Sequence, residues 1–219
     1  MRRRALLALP GAGLLGAGLL PLAGCSVLPD RPYQEVRRYP LAPLRPDGLP
    51  PRRSSGRTLL LRTMRAAPGL ESRGLRRLRP DGTLESRPYD EWAAPPADLA
   101  EAALRAWLVR SGLFTAVTAP GSRQPAGLVL ETELTRLDTG EAGAEAGLSA
   151  LLLREGGPGI TAQRIFRSVH ALTDKQPLVE TQAMVYALAS MFTEVEAWLA
   201  ASIPSNETAG RSASFLGRR

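Results

Sequence analysis

Apolar residues recur at three- and four-residue spacing in two stretches of the chain and at two-residue spacing in several others, which predicts two helices and a set of strands. Between Leu178 and Ile203, the positions Met184, Ala187, Leu188, Met191, Val195, Trp198 and Leu199 keep helical period, and Pro204 is the expected stop. From Leu99 to Ser111, a second stripe contains Ala100, Ala103, Leu104, Trp107 and Leu108, with Glu101 and Arg105 expected to face water. Asp98 stands where an N-cap belongs, and Gly112 where a helix ends. A tryptophan on an apolar helix stripe belongs to the core, so Trp107 and Trp198 are expected to pack the helices on a sheet.

The strands follow from the other periodicity. Thr58 to Met64 is a short apolar run between turn residues, and Leu128 to Leu137 sets Leu128, Leu130 and Leu134 against Val129, Glu131 and Glu133, the alternation of a half-buried strand. Arg73–Arg79 and Thr83–Tyr89 flank Pro80-Asp81-Gly82, a hairpin turn whose arginine-rich strands imply one wet face. Phe114 to Thr118 is a further short strand. Asp138 to Gly147 reads as an acidic loop, Gly147 to Leu153 as a strand, 155–159 as a turn, and Ile160 to Leu172 as a strand closing an antiparallel meander. The fold class expected is α/β of the α+β type: a single domain, 58–203, with a mixed or antiparallel sheet and two main helices packed on it.

Before residue 58 the pattern changes. Prolines at 29, 32, 40, 43, 46, 50 and 51 forbid a long helix, so 25–57 is expected to be a tether, with Val36 to Leu44 compatible with a short edge strand. Residues 1–24 begin Arg2-Arg3-Arg4 and continue as a Leu-, Ala- and Gly-rich run, the architecture of a secretory leader. A membrane span needs about 20 uninterrupted apolar residues, and this run is shorter and broken by Pro10 and glycines. It ends Leu22-Ala23-Gly24-Cys25, which is similar to the bacterial lipoprotein signal, and Cys25 is the only cysteine in the sequence. Residues 1–24 are therefore expected to be removed and Cys25 to be lipidated. Arg3-Arg4 is too loose a match to a twin-arginine signal to choose an export route. The segment 204–219 is small, polar and basic, and is expected to be disordered.

Composition narrows the function. The chain has 219 residues, enough for one sizeable core, and a formal charge of +7. Three of those charges belong to the leader arginines, leaving a mild +4. All but one of the 28 basic residues are arginine, which reads as codon bias, and with 5% aromatic residues nothing suggests a nucleic-acid face. Catalytic chemistry is not evident either. The only histidine, His170, has no Cys or His partner at zinc spacing, the glycine clusters lack the Lys-Ser/Thr of a phosphate loop, and Glu131 with Glu133 reads as a solvated sheet face. No catalytic, metal or cofactor residues are assigned.

The order of features is itself informative. The L-A-G-C end of the leader, R-R-Y-P-L, the stretch Y-D-E-W-A-A-P-P before a helix, S-G-L-F-T-A-V after it, a meander and a closing helix with A-W-L follow one another. Over about residues 25 to 203 the chain resembles the ABC-type transport auxiliary lipoproteins, the PqiC/YmbA-like family. The resemblance implies a non-catalytic outer-membrane lipoprotein, facing the periplasm, that serves lipid transport together with a mammalian-cell-entry (MCE) domain protein and an ABC permease with its ATPase. It also admits self-association. The arginine hairpin 73–89, with Arg76 and Arg77, and the tail past Pro204 depart from the simplest family pattern, and the partner contact is expected at the hairpin or at an exposed sheet edge. The competing class is a generic envelope lipoprotein that docks or activates another periplasmic protein.

Overall fold

The described residues of the computed structural model are 32–156 and 159–203. In chain order they run through β1 (Arg37–Tyr39), β2 (Thr58–Leu61), β3 (Arg65–Ala66), β4 (Gly74–Leu78), β5 (Leu84–Trp92), α1 (Pro96–Ser111), β6 (Ala116–Thr118), β7 (Leu128–Gly140), β8 (Gly143–Arg154), β9 (Ile160–His170) and α2 (Pro177–Ser202). The leader, Cys25, Pro204 and the tail expected at 204–219 lie outside the described residues.

β7 organises the sheet. On one side it pairs antiparallel with β8 along its whole length, from Leu128 opposite Arg154 to Gly140 opposite Gly143. On the other it pairs in parallel with β2, then β3, then β4. The rest attaches to these: β6 to β2, β5 to β4, β1 to β5 and β9 to β8, giving a mixed sheet of nine strands among the described residues. The α+β reading holds, including the meander β7-β8-β9 and the hairpin β4-β5, whose turn closes with the Gly82 amide donating to the Arg79 carbonyl at 2.9 Å.

The acidic loop expected at 138–147 does not form. β7 continues through Asp138 to Gly140 and β8 starts at Gly143, so most of that stretch is strand. The cause is a bulge: Leu134 faces Leu148, but Arg136 faces Gly147, and the extra residue Thr135 inverts the alternation. Leu137 thereby returns to the core at 1% exposure. Gly147 makes the bulge fit, since a Cβ there would lie 2.7 Å from the Thr135 hydroxyl oxygen and 3.1 Å from the Arg136 Cβ.

Both helices cover one face of this sheet. Leu130, Leu148, Leu152 and Phe166 from the strands meet Leu104, Leu108, Met184, Leu188, Met191, Val195 and Leu199 in one apolar core. α1 begins at Pro96, earlier than expected, because Pro is tolerated in the first helical turn; Asp98 lies in that turn and is not the cap. Gly112 ends α1 in the left-handed region at φ 69°. The two tryptophans divide the work differently than expected. Trp198 stacks edge-on against Phe166 of β9 with ring centres 5.6 Å apart, a helix–sheet contact, whereas Trp107 stacks edge-on against Phe192 of α2 at 5.6 Å, a helix–helix contact.

Replacing a buried aromatic by alanine costs about 3–5 kcal/mol, and 1 kcal/mol shifts the Tm of a domain this size by roughly 2–4 °C. Trp107→Ala and Trp198→Ala are each expected to lower the Tm by roughly 6–20 °C in scanning calorimetry, with Trp107 the larger effect because it is 1% exposed against 9% for Trp198. An unchanged Tm for either would contradict this packing.

Candidate docking surface

A carboxylate inside a core needs several donors, and Glu196 of α2, 1% exposed, has them. Arg45 donates from Nε at 2.9 Å and from Nη2 at 3.0 Å, Arg52 from Nε at 2.8 Å, and Trp107 from Nε1 at 2.9 Å. Arg45 is itself buried, and its remaining donors reach the Leu49 carbonyl at 2.7 Å and the Pro50 carbonyl at 2.8 Å. Burial alone would raise the Glu196 carboxyl, but the hydrogen bonds from Arg45, Arg52 and Trp107 outweigh it and hold the group below the ordinary glutamate value.

This cluster corrects the expectation that 25–57 is a free tether. From Tyr39 onward the proline-rich segment is extended, as its prolines require, but it is bound to the domain as a strap. Leu41 is 3% exposed, the Arg52 amide donates to the Ser111 carbonyl at 2.7 Å, and the Ser55 amide to the Leu113 carbonyl at 2.8 Å. The short edge strand expected within 36–44 is β1, parallel to β5.

A second buried acid, Glu180 near the start of α2, receives Arg77 of β4 and Arg87 of β5, the latter donating from Nε at 3.0 Å. The two hairpin arginines singled out from the sequence therefore point to opposite sides. Arg77 faces the helix and clamps it. Arg76 lies half-buried on the other face, near enough to Asp138 to favour that carboxylate's charged form. Glu101, expected to face water, is instead 9% exposed and accepts from the Met64 amide at 2.9 Å, as well as from Arg105.

The sheet face away from the helices carries a ribbon of ion pairs. Arg62 reaches Glu131 at 2.6 Å, Arg65 reaches Glu133 at 3.3 Å, Arg136 bridges Asp138 at 3.1 Å and Glu145 at 3.3 Å, and Arg167 donates to Glu145 from Nη2 at 3.0 Å. Glu131 and Glu133 do share this face. Burial pushes the Asp138 carboxyl above its usual value, with Arg136 pulling the other way without cancelling it. Its protonation on acidification therefore favours the fold. His170 lies against Tyr186 with ring centres 5.0 Å apart. At the hairpin tips, Arg79, Arg136 and Arg167 line a polar cleft of about 340 Å³, and Tyr39, Leu178, Val185 and Tyr186 line an apolar groove of about 280 Å³ beside α2. Among the described residues no helix is long and apolar enough to cross a membrane.

The arrangement is a sheet covered by helices on one face, with a ribbon of arginine–carboxylate pairs on the other. Comparison with known proteins gives it a place. Residues 39–200 match the model of the ABC-type transport auxiliary lipoprotein component, and the chain belongs to that family. The matched region begins at Tyr39, within β1, so the strap is part of the family domain. The crystal structure of protein XCC0632 from Xanthomonas campestris is similar at 23% identity, with a TM-score of 0.64, over 80% of this chain and 96% of that one. The structure of an uncharacterized protein is similar at 14% identity and a TM-score of 0.61, over 76% and 99% of the two chains. At such identities the likeness speaks for the fold alone. No curated protein matches the chain.

The Glu196 cluster gives a prediction with a definite sign. Removing one partner of a buried charge pair costs roughly 3–5 kcal/mol, because the other charge stays buried. Glu196→Gln is expected to lose that much in urea unfolding at neutral pH. Since the folded-state pKa lies below the reference value of 4.5, the unfolded chain takes up the proton first as pH falls. The stability that Glu196 contributes is thus present above about pH 4.5 and is lost as pH falls through the depressed folded value. The gap between wild type and Glu196→Gln should accordingly shrink on acidification, and a gap that stays constant from pH 7 to about pH 3 would contradict the assignment.

Proposed function

We propose that the protein is an outer-membrane lipoprotein, held by acyl chains on Cys25, that acts as a non-catalytic accessory of an ABC-type lipid transport system containing an MCE-domain protein and a permease with its ATPase. The observation that carries the reading is the family match over residues 39–200. The Leu22-Ala23-Gly24-Cys25 sequence supports the anchor, and Ser26, where an aspartate would favour inner-membrane retention, supports the outer membrane. Two or more acyl chains hold a protein durably at a bilayer where one does not.

Binding of the strap shortens the reach of the domain. Only residues 25–36 separate the anchoring cysteine from β1, so at about 3.3–3.6 Å per residue the domain stays within about 40 Å of its membrane attachment. A partner must therefore approach the membrane to meet it, which suits a docking element for a periplasmic protein that spans toward the outer membrane. Of the two arginines proposed for that contact, Arg76 is the one to test, because Arg77→Glu would set two acids against each other at Glu180 and report on folding.

The expected outcome of affinity capture from a detergent extract is recovery of an MCE-type protein or permease component with the wild-type chain, reduced with Arg76→Glu. Recovery of neither, even after cross-linking, would leave the generic envelope lipoprotein in its place. The anchor is checked separately: Cys25→Ala should leave an unprocessed, unacylated precursor by intact-mass spectrometry, and the wild type should band with outer-membrane markers in a density gradient.

A further inference from the structure

The outward face of α2 is unlike the rest of the surface. In a chain with 22% charged residues, the unburied positions of this helix include a single charge, Glu194, because Glu180 and Glu196 are both turned inward. The strap runs beside α2, from the apolar groove of about 280 Å³, which Tyr39, Pro40 and Ala42 line together with Leu178, Val185 and Tyr186, to the Arg45–Glu196 pair. Along it Leu41, Pro43 and Arg45 are buried, so Pro40, Ala42 and Leu44 point outward, and none of these is charged. The two elements form an uncharged strip on which Leu44 is 67%, Leu178 56% and Tyr186 57% exposed. Single apolar residues on a surface are ordinary, but a continuous strip marks contact with a membrane or another protein.

We propose that this strip is a membrane-contact face, which rests the domain on the bilayer that carries its N-terminus; the inference rests on the acylation of Cys25. Three observations choose a lipid surface as the occupant. Tyr39, in the groove, is at most about 50 Å from Cys25 along an extended chain at about 3.3–3.6 Å per residue, so the bilayer is always within reach and weak contacts suffice to hold a tethered domain against it. Tyr186 presents an apolar ring with a polar tip beside Leu178, the kind of side chain that settles at the boundary between headgroups and acyl chains. Cations flank the strip. Arg37 and Arg38, with side chains 61% and 59% exposed, immediately precede Tyr39; each is joined to an acid through Nε, which leaves further guanidinium donors for lipid phosphates. Lys175, exposed and without an ion pair among the described residues, stands just before the first turn of α2. In this arrangement α2 lies along the membrane surface with its outer side chains in the boundary layer, as an interfacial helix does. The sheet face with the arginine–carboxylate pairs then points away from the bilayer.

The test uses the mature protein, purified from membranes and reconstituted in vesicles of phosphatidylethanolamine and phosphatidylglycerol that include a phospholipid with a nitroxide on its acyl chain. With Cys25 acylated, Gln182→Cys and Ile165→Cys each carry one free thiol for a fluorophore. Gln182 lines the groove. Ile165 lies on the edge strand β9, where it is 73% exposed and Ile160 64%, on the sheet face that carries Arg167 and away from the helices. The nitroxide is expected to quench the label at 182 and not the label at 165. Changing Leu44→Glu and Leu178→Glu together should abolish the quenching at 182 with the melting temperature unchanged, because both side chains are exposed. Equal quenching at the two positions, quenching at neither, or quenching that survives the two glutamates would each overturn the proposal. A label at 182 that is shielded from iodide in the water but untouched by the nitroxide would overturn it too, since a protein would then cover the strip. Intact mass of the same sample separates the two readings: an unacylated chain fails the anchor and this proposal together, whereas an acylated chain without quenching at 182 overturns the membrane face and leaves the anchor standing.

Discussion

The carboxylate of Glu196 is the point at which the separate parts of the domain are tied together. Its donors stand 151, 144 and 89 residues away in the sequence, in two places on the strap and one on α1. Water is excluded, so the charge is tolerable only while all of these partners are in place. A buried ion pair contributes modestly to stability against an apolar alternative, but it is unforgiving of position. That intolerance fixes where the strap lies, and through the strap it fixes β1 against β5 and the point at which the chain leaves toward its N-terminus.

α2 carries a second such group at its other end. Glu180 and Glu196 are 16 residues apart, about 24 Å along the helix axis and about 160° around it. One acid clamps the β4–β5 hairpin through Arg77 and Arg87, and the other clamps the strap and α1. Between them runs the apolar stripe that packs on β8 and β9. Hydrophobic burial holds the helix on the sheet but is non-directional. The two acids supply the direction, locating the helix against elements on either side of it.

Much of this is legible in the sequence, and the failures have physical causes. The helices, the hairpin and the meander declared themselves because periodicity and turn chemistry agree there. The stretch 138–147 misled because paired charges on a strand look like a polar loop: Asp138 and Glu145 face each other across β7 and β8, with Arg136 between them. The three-residue step from Leu134 to Leu137 was the available signal, since a break of parity inside an alternating strand marks a bulge. The strap was hidden for a related reason. Prolines tell that the backbone is extended but not whether it is bound, and only the pairing of Arg45 and Arg52 with an acid far along the chain decides that. Glu101 shows the same effect on a helix, where a charge on the apparent wet side is held by the Met64 amide.

The arginine content acquires its meaning from these pairs. On the open sheet face Arg62, Arg65, Arg136 and Arg167 each stand beside an acid, so a chain with a net positive charge presents there a ribbon of alternating sign. Such pairs add little stability when exposed, but they remove the long-range field that an unpaired arginine face would project. Long-range attraction of an anionic partner by this face is therefore weak, and a contact such as one through Arg76 acts only at close range. What a partner can use is short-ranged: the backbone edge of β9, the exposed isoleucines beside it, and the shape of the hairpin tips. Contacts of that kind act only within a few ångströms, so they select a partner by the fit of its surface rather than by the sign of its charge.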